Sequence, residues 1–323
     1  PGEAGDGPRL VMAIAPVDEG LADMCAAAGY DGQDLRAQGY FLGVEPAADT
    51  AAIVAADLRG LIYGSSTLMQ LIAAEDGGLA ARGARILDWP AWQMRGPRSI
   101  GLSEAIADWC AFYKMNILVT GFDWEEPLPE RFAQMYEMLA RRGILFMPEC
   151  HPGGFPEKPF IFTNPEHRQA LLDRTREAIE MGLPAIGFMV DDRPNEPESP
   201  ADEEKYGEGL VGLGKAQMEM MTEVAEFAGD RIDIYFCPRV YYDPYQQGIY
   251  PTEPADQEMT YRKLVGTLPD NVEIWTTQPK LSYLKELNEV WGREPVIYHN
   301  LFYSSLADEK LFFIPYPTPT EEH

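Results

Sequence analysis

The sequence has a rhythm that narrows its possible folds. From about residue 163 onward, short apolar runs rich in β-branched or aromatic residues alternate with polar turns and longer stretches at helical spacing. Counted with the runs ahead of it, the pattern predicts strands over 99–102, 117–121, 144–149, 186–191, 232–238, 272–276, 296–300 and 311–314. Each reads as an apolar run, as a parallel strand covered on both faces should. Helices are expected between them, for example over 103–114, over 165–181 with Asn164 as N-cap, and over 283–291 ending at Gly292. Eight βα units imply a closed (β/α)8 barrel of the TIM type.

Residues 1–84 read differently. Strands are expected over 10–15, 38–44 and 51–56, and the segment 61–74 is amphipathic, with Leu68, Leu71 and Ile72 on one stripe. This predicts a small α+β domain over 1–84 ahead of a barrel over 85–323, and 323 residues accommodate both.

Charge narrows the partners. The 52 acidic residues against 26 basic ones leave a formal charge of -26, which repels phosphate backbones and anionic lipid, so neither nucleic acid nor a membrane surface is expected as a partner. No apolar run approaches the roughly 18 residues of a membrane helix. Cys25, Cys110, Cys150 and Cys237 lie far apart without metal-ligand spacing, which predicts free thiols, no zinc site and no disulfide framework. The chain opens at Pro1 rather than Met, so a cytoplasmic protein and an exported one that has lost a leader both fit.

In a barrel of this type the chemistry lies at the C-terminal ends of the strands. The run Ile186-Gly187-Phe188-Met189-Val190 is followed by Asp191-Asp192, two carboxylates that emerge together. Such neighbours suppress each other's ionisation, so one can act as acid while the other stays charged, which glycosidic cleavage requires. The plainer reading is that Asp191 caps its loop or pairs with Arg193 while Asp192 is solvated. Glu149 and His151, ending the third run, could join a divalent ion, though the spacing matches no metal signature. No cofactor is called for. Tyr241 and Tyr242, Trp275 and Thr276, and Tyr298, His299 and Asn300 supply aromatic faces and hydrogen-bonding edges at neighbouring strand ends, a composition suited to a carbohydrate.

These residues, in this order, resemble the retaining β-N-acetylglucosaminidases of glycoside hydrolase family 84, which include the O-GlcNAcases. The stretch from Gly60-Leu61-Ile62-Tyr63-Gly64 to Thr67-Leu68-Met69-Gln70-Leu71 is similar to the end of a small domain shared with family 20 hexosaminidases. Asp88-Trp89-Pro90 with Arg95-Gly96 is similar to the start of the barrel, Phe188-Met189-Val190-Asp191-Asp192 to the catalytic strand, and Cys237-Pro238-Arg239-Val240-Tyr241 to the Pro/Tyr segment. Trp275-Thr276, Pro279-Lys280, Tyr298-His299-Asn300 and Ile314-Pro315-Tyr316 follow in the family's order.

The resemblance implies substrate-assisted cleavage, in which the sugar's 2-acetamido oxygen attacks the anomeric carbon to form an oxazoline. It assigns Asp191 to the acetamido N–H, Asp192 to acid and base work on the leaving oxygen and water, Tyr241 to the acetamido carbonyl, Thr276 to the acetyl pocket and Asn300 to the reacting sugar. The departures point to altered specificity. The family's Glu-Gly-Phe-Tyr-Gly is here Arg98-Ser99-Ile100-Gly101-Leu102, its Lys after the second strand is replaced near Asp123, its Trp on the seventh is Tyr298, and the Asp that grips the outer hydroxyls is Ser305. Loss of a charge-assisted bond of about 1.5–3 kcal/mol weakens simple N-acetylglucosamine binding by about one to two powers of ten. Two other functions fit the same residues: a catalytically silent glycan-binding barrel, and a glycosidase with Glu149 as a protein nucleophile on a sugar without the 2-acetamido group.

Overall fold

The computed structural model describes residues 8–75, 78–98, 102–153, 159–191, 193–241, 255–277 and 281–297. They fall into two compact units: described residues up to Leu118 together with Glu137–Leu145, and Val119–Tyr136 together with those from Phe146 onward.

In the first unit, β1 (Arg9–Ile14), α1 (Glu19–Ala27), β2 (Tyr40–Glu45), β3 (Thr50–Ala55), α2 (Leu58–Leu71), β4 (Ile72–Glu75), β5 (Gly78–Ala81), β6 (Ala84–Asp88) and α3 (Glu104–Phe112) follow in order. Four strands form a sheet in the order β1-β3-β2-β6, with β1 parallel to β3 and the other pairs antiparallel. Alternation along the strands sorts its two faces. Val11, Phe41, Ala52 and Val54 pack with Cys25 and Ala28 on the α1 side. Tyr40, Leu42, Val44, Ile53 and Ala55 pack with Tyr63 on the α2 side.

The helix expected over 61–74 stops at Leu71. Ile72, extended at φ -81° and ψ 127°, opens β4, which pairs antiparallel with β5. Ala73 and Ala74 favour helix intrinsically, and the ladder overrides that preference. No strand is expected from the sequence over 84–88, yet β6 forms there and joins the first sheet beside β2. A buried polar network follows it. Asn116 Nδ2 donates to Gln38 Oε1 at 3.1 Å and to the Gln93 carbonyl at 2.6 Å, and the Arg95 side chain donates to Gln38 Oε1 and to the Lys114 carbonyl.

The remaining elements are β7 (Ile117–Phe122), α4 (Arg131–Ala140), β8 (Leu145–Cys150), α5 (Pro165–Glu180), β9 (Ala185–Met189), α6 (Pro200–Tyr206), α7 (Gly209–Ala228), β10 (Asp233–Cys237), α8 (Ala255–Val265), β11 (Val272–Thr276), α9 (Leu281–Trp291) and β12 (Val296–Ile297). The six strands make one sheet in sequential order from β7 to β12. Parallel neighbours joined through helices generate that order, and it is the succession of a (β/α) barrel wall. The helix starts obey local chemistry: Asn164 Oδ1 accepts from Glu166 N at 2.9 Å to cap α5, with Pro165 at the first position, and Ser103 Oγ caps α3. α9 gives way to Gly292 at φ 69°.

The expected strands over 117–121, 144–149, 186–191, 232–238 and 272–276 match β7 to β11 in place. The seventh begins as expected at Val296, while residues 298–300, the strand expected over 311–314 and most of that over 99–102 lie outside the described residues. The strands are not all wholly apolar, and β8 carries Glu149 buried within it. Asp233 opens β10 and Glu273 is the second residue of β11, both exposed at the strands' starts, where a carboxylate can reach water. All four cysteines are free and buried.

Candidate active site

Parallel register aligns the strand ends. Glu149 of β8 pairs with Gly187 of β9, which pairs with Tyr235 of β10, placing the three on one face. Cys150, Phe188 and Phe236 occupy the opposite face, and all are fully buried. Gly187 gives Glu149 its room, since a Cβ there would stand 3.1 Å from Glu149 Cβ. The ladder continues one step past β9, with Val190 N donating to the Cys237 carbonyl at 3.0 Å, and Asp191 follows at the open end.

Asp191 is 16% exposed, enough to meet a ligand while still held by protein. Its Oδ1 lies 3.6 Å from His151 Nδ1, and His151 Nε2 lies 3.8 Å from Oε1 of Glu149, whose side chain is 1% exposed. A row Glu149, His151, Asp191 therefore crosses from the end of β8 to the end of β9. Among the described residues no group of His, Cys, Asp and Glu is arranged to hold a metal ion. Burial, with Glu149 alongside, pushes the Cys150 thiol well above its ordinary range, so it stays protonated and inert.

Past β10, Tyr241 is buried, and its carbonyl accepts from Thr277 N at 3.0 Å and from Thr276 Oγ1 at 2.8 Å. Thr276 is completely buried, and its hydroxyl is committed to that carbonyl. Trp275 packs edge-on against Tyr235 at 6.0 Å. Asp123 is exposed in the turn after β7, where its Oδ1 accepts from Glu125 N at 3.2 Å. Asp192, Tyr298, Asn300 and Ser305 lie outside the described residues.

Arg193 does not pair with Asp191 through its side chain. Its backbone N–H donates to the Asp191 carbonyl at 2.9 Å, while its fully buried guanidinium donates to the Pro152 carbonyl at 3.0 Å, the Phe160 carbonyl at 3.0 Å and Glu198 Oε2 at 2.5 Å. Asp202 is likewise buried, accepting from Phe162 N at 2.9 Å and Thr163 N at 2.7 Å. His167 Nδ1 accepts from Ile161 N at 3.0 Å, and Trp124, Phe160 and His167 meet as a ring cluster. Sequence reasoning missed these supports because most of their partners are backbone groups, which leave no residue-type signal.

Comparison with known proteins identifies the frame. The beta-N-acetylglucosaminidase family model matches residues 119–322. The chain belongs to that family. The model of glycosyl hydrolase family 20 domain 2 matches residues 10–89 of this β-N-acetylglucosaminidase family member. Protein O-GlcNAcase of Rattus norvegicus is 22% identical over 169 residues, half of this chain, and that of Mus musculus is 23% identical over 169 residues. The aligned region is 17% of each of those curated relatives. Among solved structures, beta-N-acetylhexosaminidase from Bacteroides fragilis superposes with a TM-score of 0.58 at 16% identity, covering 92% of this chain and 72% of that one. A mutant of the Thermobaculum terrenum O-GlcNAc hydrolase superposes with a TM-score of 0.51 at 20% identity, covering 65% and 48%. At these identities the likeness is one of fold: a TIM-type barrel preceded by a small α+β domain.

No helix among the described residues is long and apolar enough to cross a membrane.

Proposed function

We propose that this chain is a retaining β-N-acetylhexosaminidase-like glycoside hydrolase that cleaves by substrate assistance, with a sugar specificity shifted from plain N-acetylglucosamine. The observation that carries the reading is Asp191, a partly exposed carboxylate at the end of β9 with His151 3.6 Å away, in a chain of the β-N-acetylglucosaminidase family. Asp191 accepts the acetamido N–H and turns the acetamido oxygen toward the anomeric carbon. That oxygen forms the new bond as the bond to the leaving oxygen breaks, and Asp192 passes its proton to the leaving group. A water molecule, deprotonated by the same Asp192, then opens the oxazoline with net retention. Tyr241 donates to the acetamido oxygen, Thr276 holds Tyr241 by its carbonyl, and Asn300 binds the reacting sugar. Trp275 and Tyr298 supply apolar wall, and Asp123 stands at the rim. Ser305, in place of a carboxylate, loosens the grip on outer hydroxyls and favours a related aminosugar or a decorated chain. The small α+β domain, whose sheet includes β6 (Ala84–Asp88), precedes the catalytic barrel.

The test is hydrolysis of aryl β-glycosides, with and without a 2-acetamido group, by the wild-type protein and by Asp191→Asn and Asp192→Asn variants. Cleavage confined to 2-acetamido sugars and lost in both variants is expected. Cleavage of sugars lacking the group would sink the substrate-assisted mechanism and move the nucleophile to Glu149. Saturable glycan binding without turnover would make the barrel a lectin.

A further inference from the structure

The loop after β8 and the loop after β9 are tied together by one side chain. Arg193 sits two residues beyond Asp191, and its guanidinium spans the carbonyls of Pro152 and Phe160, each at 3.0 Å. Pro152 follows His151, so one end of this tie adjoins the residue that approaches Asp191 and the other adjoins Asp191 itself. Glu198 Oε2 at 2.5 Å offsets the charge, and the ring of Phe162 lies 5.0 Å beneath Cζ. The opposing loop is shaped for this guanidinium. Gly153 adopts φ +72°, and a Cβ there would stand 2.7 Å from Arg193 Cζ. A planar fork with several donors can hold two carbonyls and a carboxylate at once, which an ammonium cannot.

We infer that Arg193 is a positioning residue: by clamping the Pro152 and Phe160 carbonyls it sets the spacing of His151 from Asp191 and so the orientation of the Asp191 carboxylate toward substrate. Because Glu198 neutralises it locally, Arg193 acts through geometry rather than through its field. The inference rests on the function proposed above.

The experiment compares the wild-type chain with Arg193→Lys, Glu198→Gln and Gly153→Ala variants. Two readouts are taken: the inhibition constant of a thiazoline analogue of the oxazoline, which does not depend on the fraction of folded enzyme, and hydrogen exchange at the amides of residues 159–163. Arg193→Lys is expected to weaken the analogue about tenfold, as loss of a buried charge-assisted bond does, and to speed exchange. Gly153→Ala should act in the same direction. An unchanged inhibition constant in variants whose loop exchanges faster would overturn the positioning role, and unchanged exchange would overturn the clamp itself. Should Arg193→Lys fail to fold, Glu198→Gln and Gly153→Ala decide by the same readouts. If the wild-type chain neither cleaves 2-acetamido glycosides nor binds the analogue, the proposed function falls. Faster exchange alone would then leave Arg193 a fold-holding residue, against the inference.

Discussion

Thr276 donates from Oγ1 to the carbonyl of Tyr241 at 2.8 Å, tying the end of β11 to the segment that follows β10. Both residues are buried, and Thr277 N reinforces the tie at 3.0 Å. Thr276→Val keeps the shape and deletes the donor. It is expected to cost about 1 kcal/mol of stability in urea unfolding, the usual worth of one buried neutral hydrogen bond. Thr276→Ser should restore most of it. Full stability in Thr276→Val together with a loss in Thr276→Ser would show that the methyl group, not the hydroxyl, is what matters.

Asp202 takes two backbone N–H groups, those of Phe162 and Thr163, at 2.9 and 2.7 Å with no exposure to water. Asparagine at that position has one acceptor oxygen, so Asp202→Asn leaves one buried amide with a donor facing it. A loss of about 1.5–3 kcal/mol is expected, with the amides of Phe162 and Thr163 exchanging faster than the rest of the loop. A loss below about 0.5 kcal/mol would mean that the loop finds another partner for the freed donor.

The barrel wall was legible because parallel strands covered on both faces are apolar over most of their length, and runs such as Ile186 to Val190 have no other comfortable home. Asp191 was legible for the converse reason: a carboxylate directly after such a run has to leave the core. The β4 and β5 hairpin was not, since Ala73, Ala74, Ala80 and Ala81 favour helix and only their pairing across the hairpin decides otherwise. Arg193 was visible as a charge beside Asp191, yet its acceptors are the carbonyls of Pro152 and Phe160, identical in chemistry at every residue. Thr276 was legible as a strand-end residue, while its commitment to the Tyr241 carbonyl depends on a contact 35 residues away in the chain.

His151 stands between Glu149 and Asp191 at 3.8 and 3.6 Å. If it works by holding Asp191, its effect has to pass through that carboxylate. His151→Gln is then expected to lower kcat/KM on a 2-acetamido aryl glycoside by about 10²-fold, within the range for a positioned catalytic group. The double variant with Asp191→Asn should be no slower than Asp191→Asn alone. Additive losses in that cycle would give His151 an independent role in the chemistry.

The carboxylates at the starts of β10 and β11 carry a pH dependence of opposite sign to the usual acidic one. Desolvation by the surrounding protein raises the Asp233 carboxyl above its ordinary value. Glu273 is raised by desolvation and then by Asp233, with Arg293 pulling the other way. A carboxyl whose folded value is raised binds more protons folded than unfolded, so its contribution is fully present below the ordinary carboxylate range near 4 and is lost as pH rises through the folded value. Above that window both residues oppose folding. Both are exposed, so solvent screening limits each effect to less than about 1 kcal/mol. Glu273→Gln and Asp233→Asn are therefore expected to raise Tm at pH 7 and to have little or no stabilising effect at pH 4, as read by thermal unfolding at the two pH values. Stabilisation equal at both pH values would assign the gain to packing or hydrogen bonding of the amide instead of to removal of a charge.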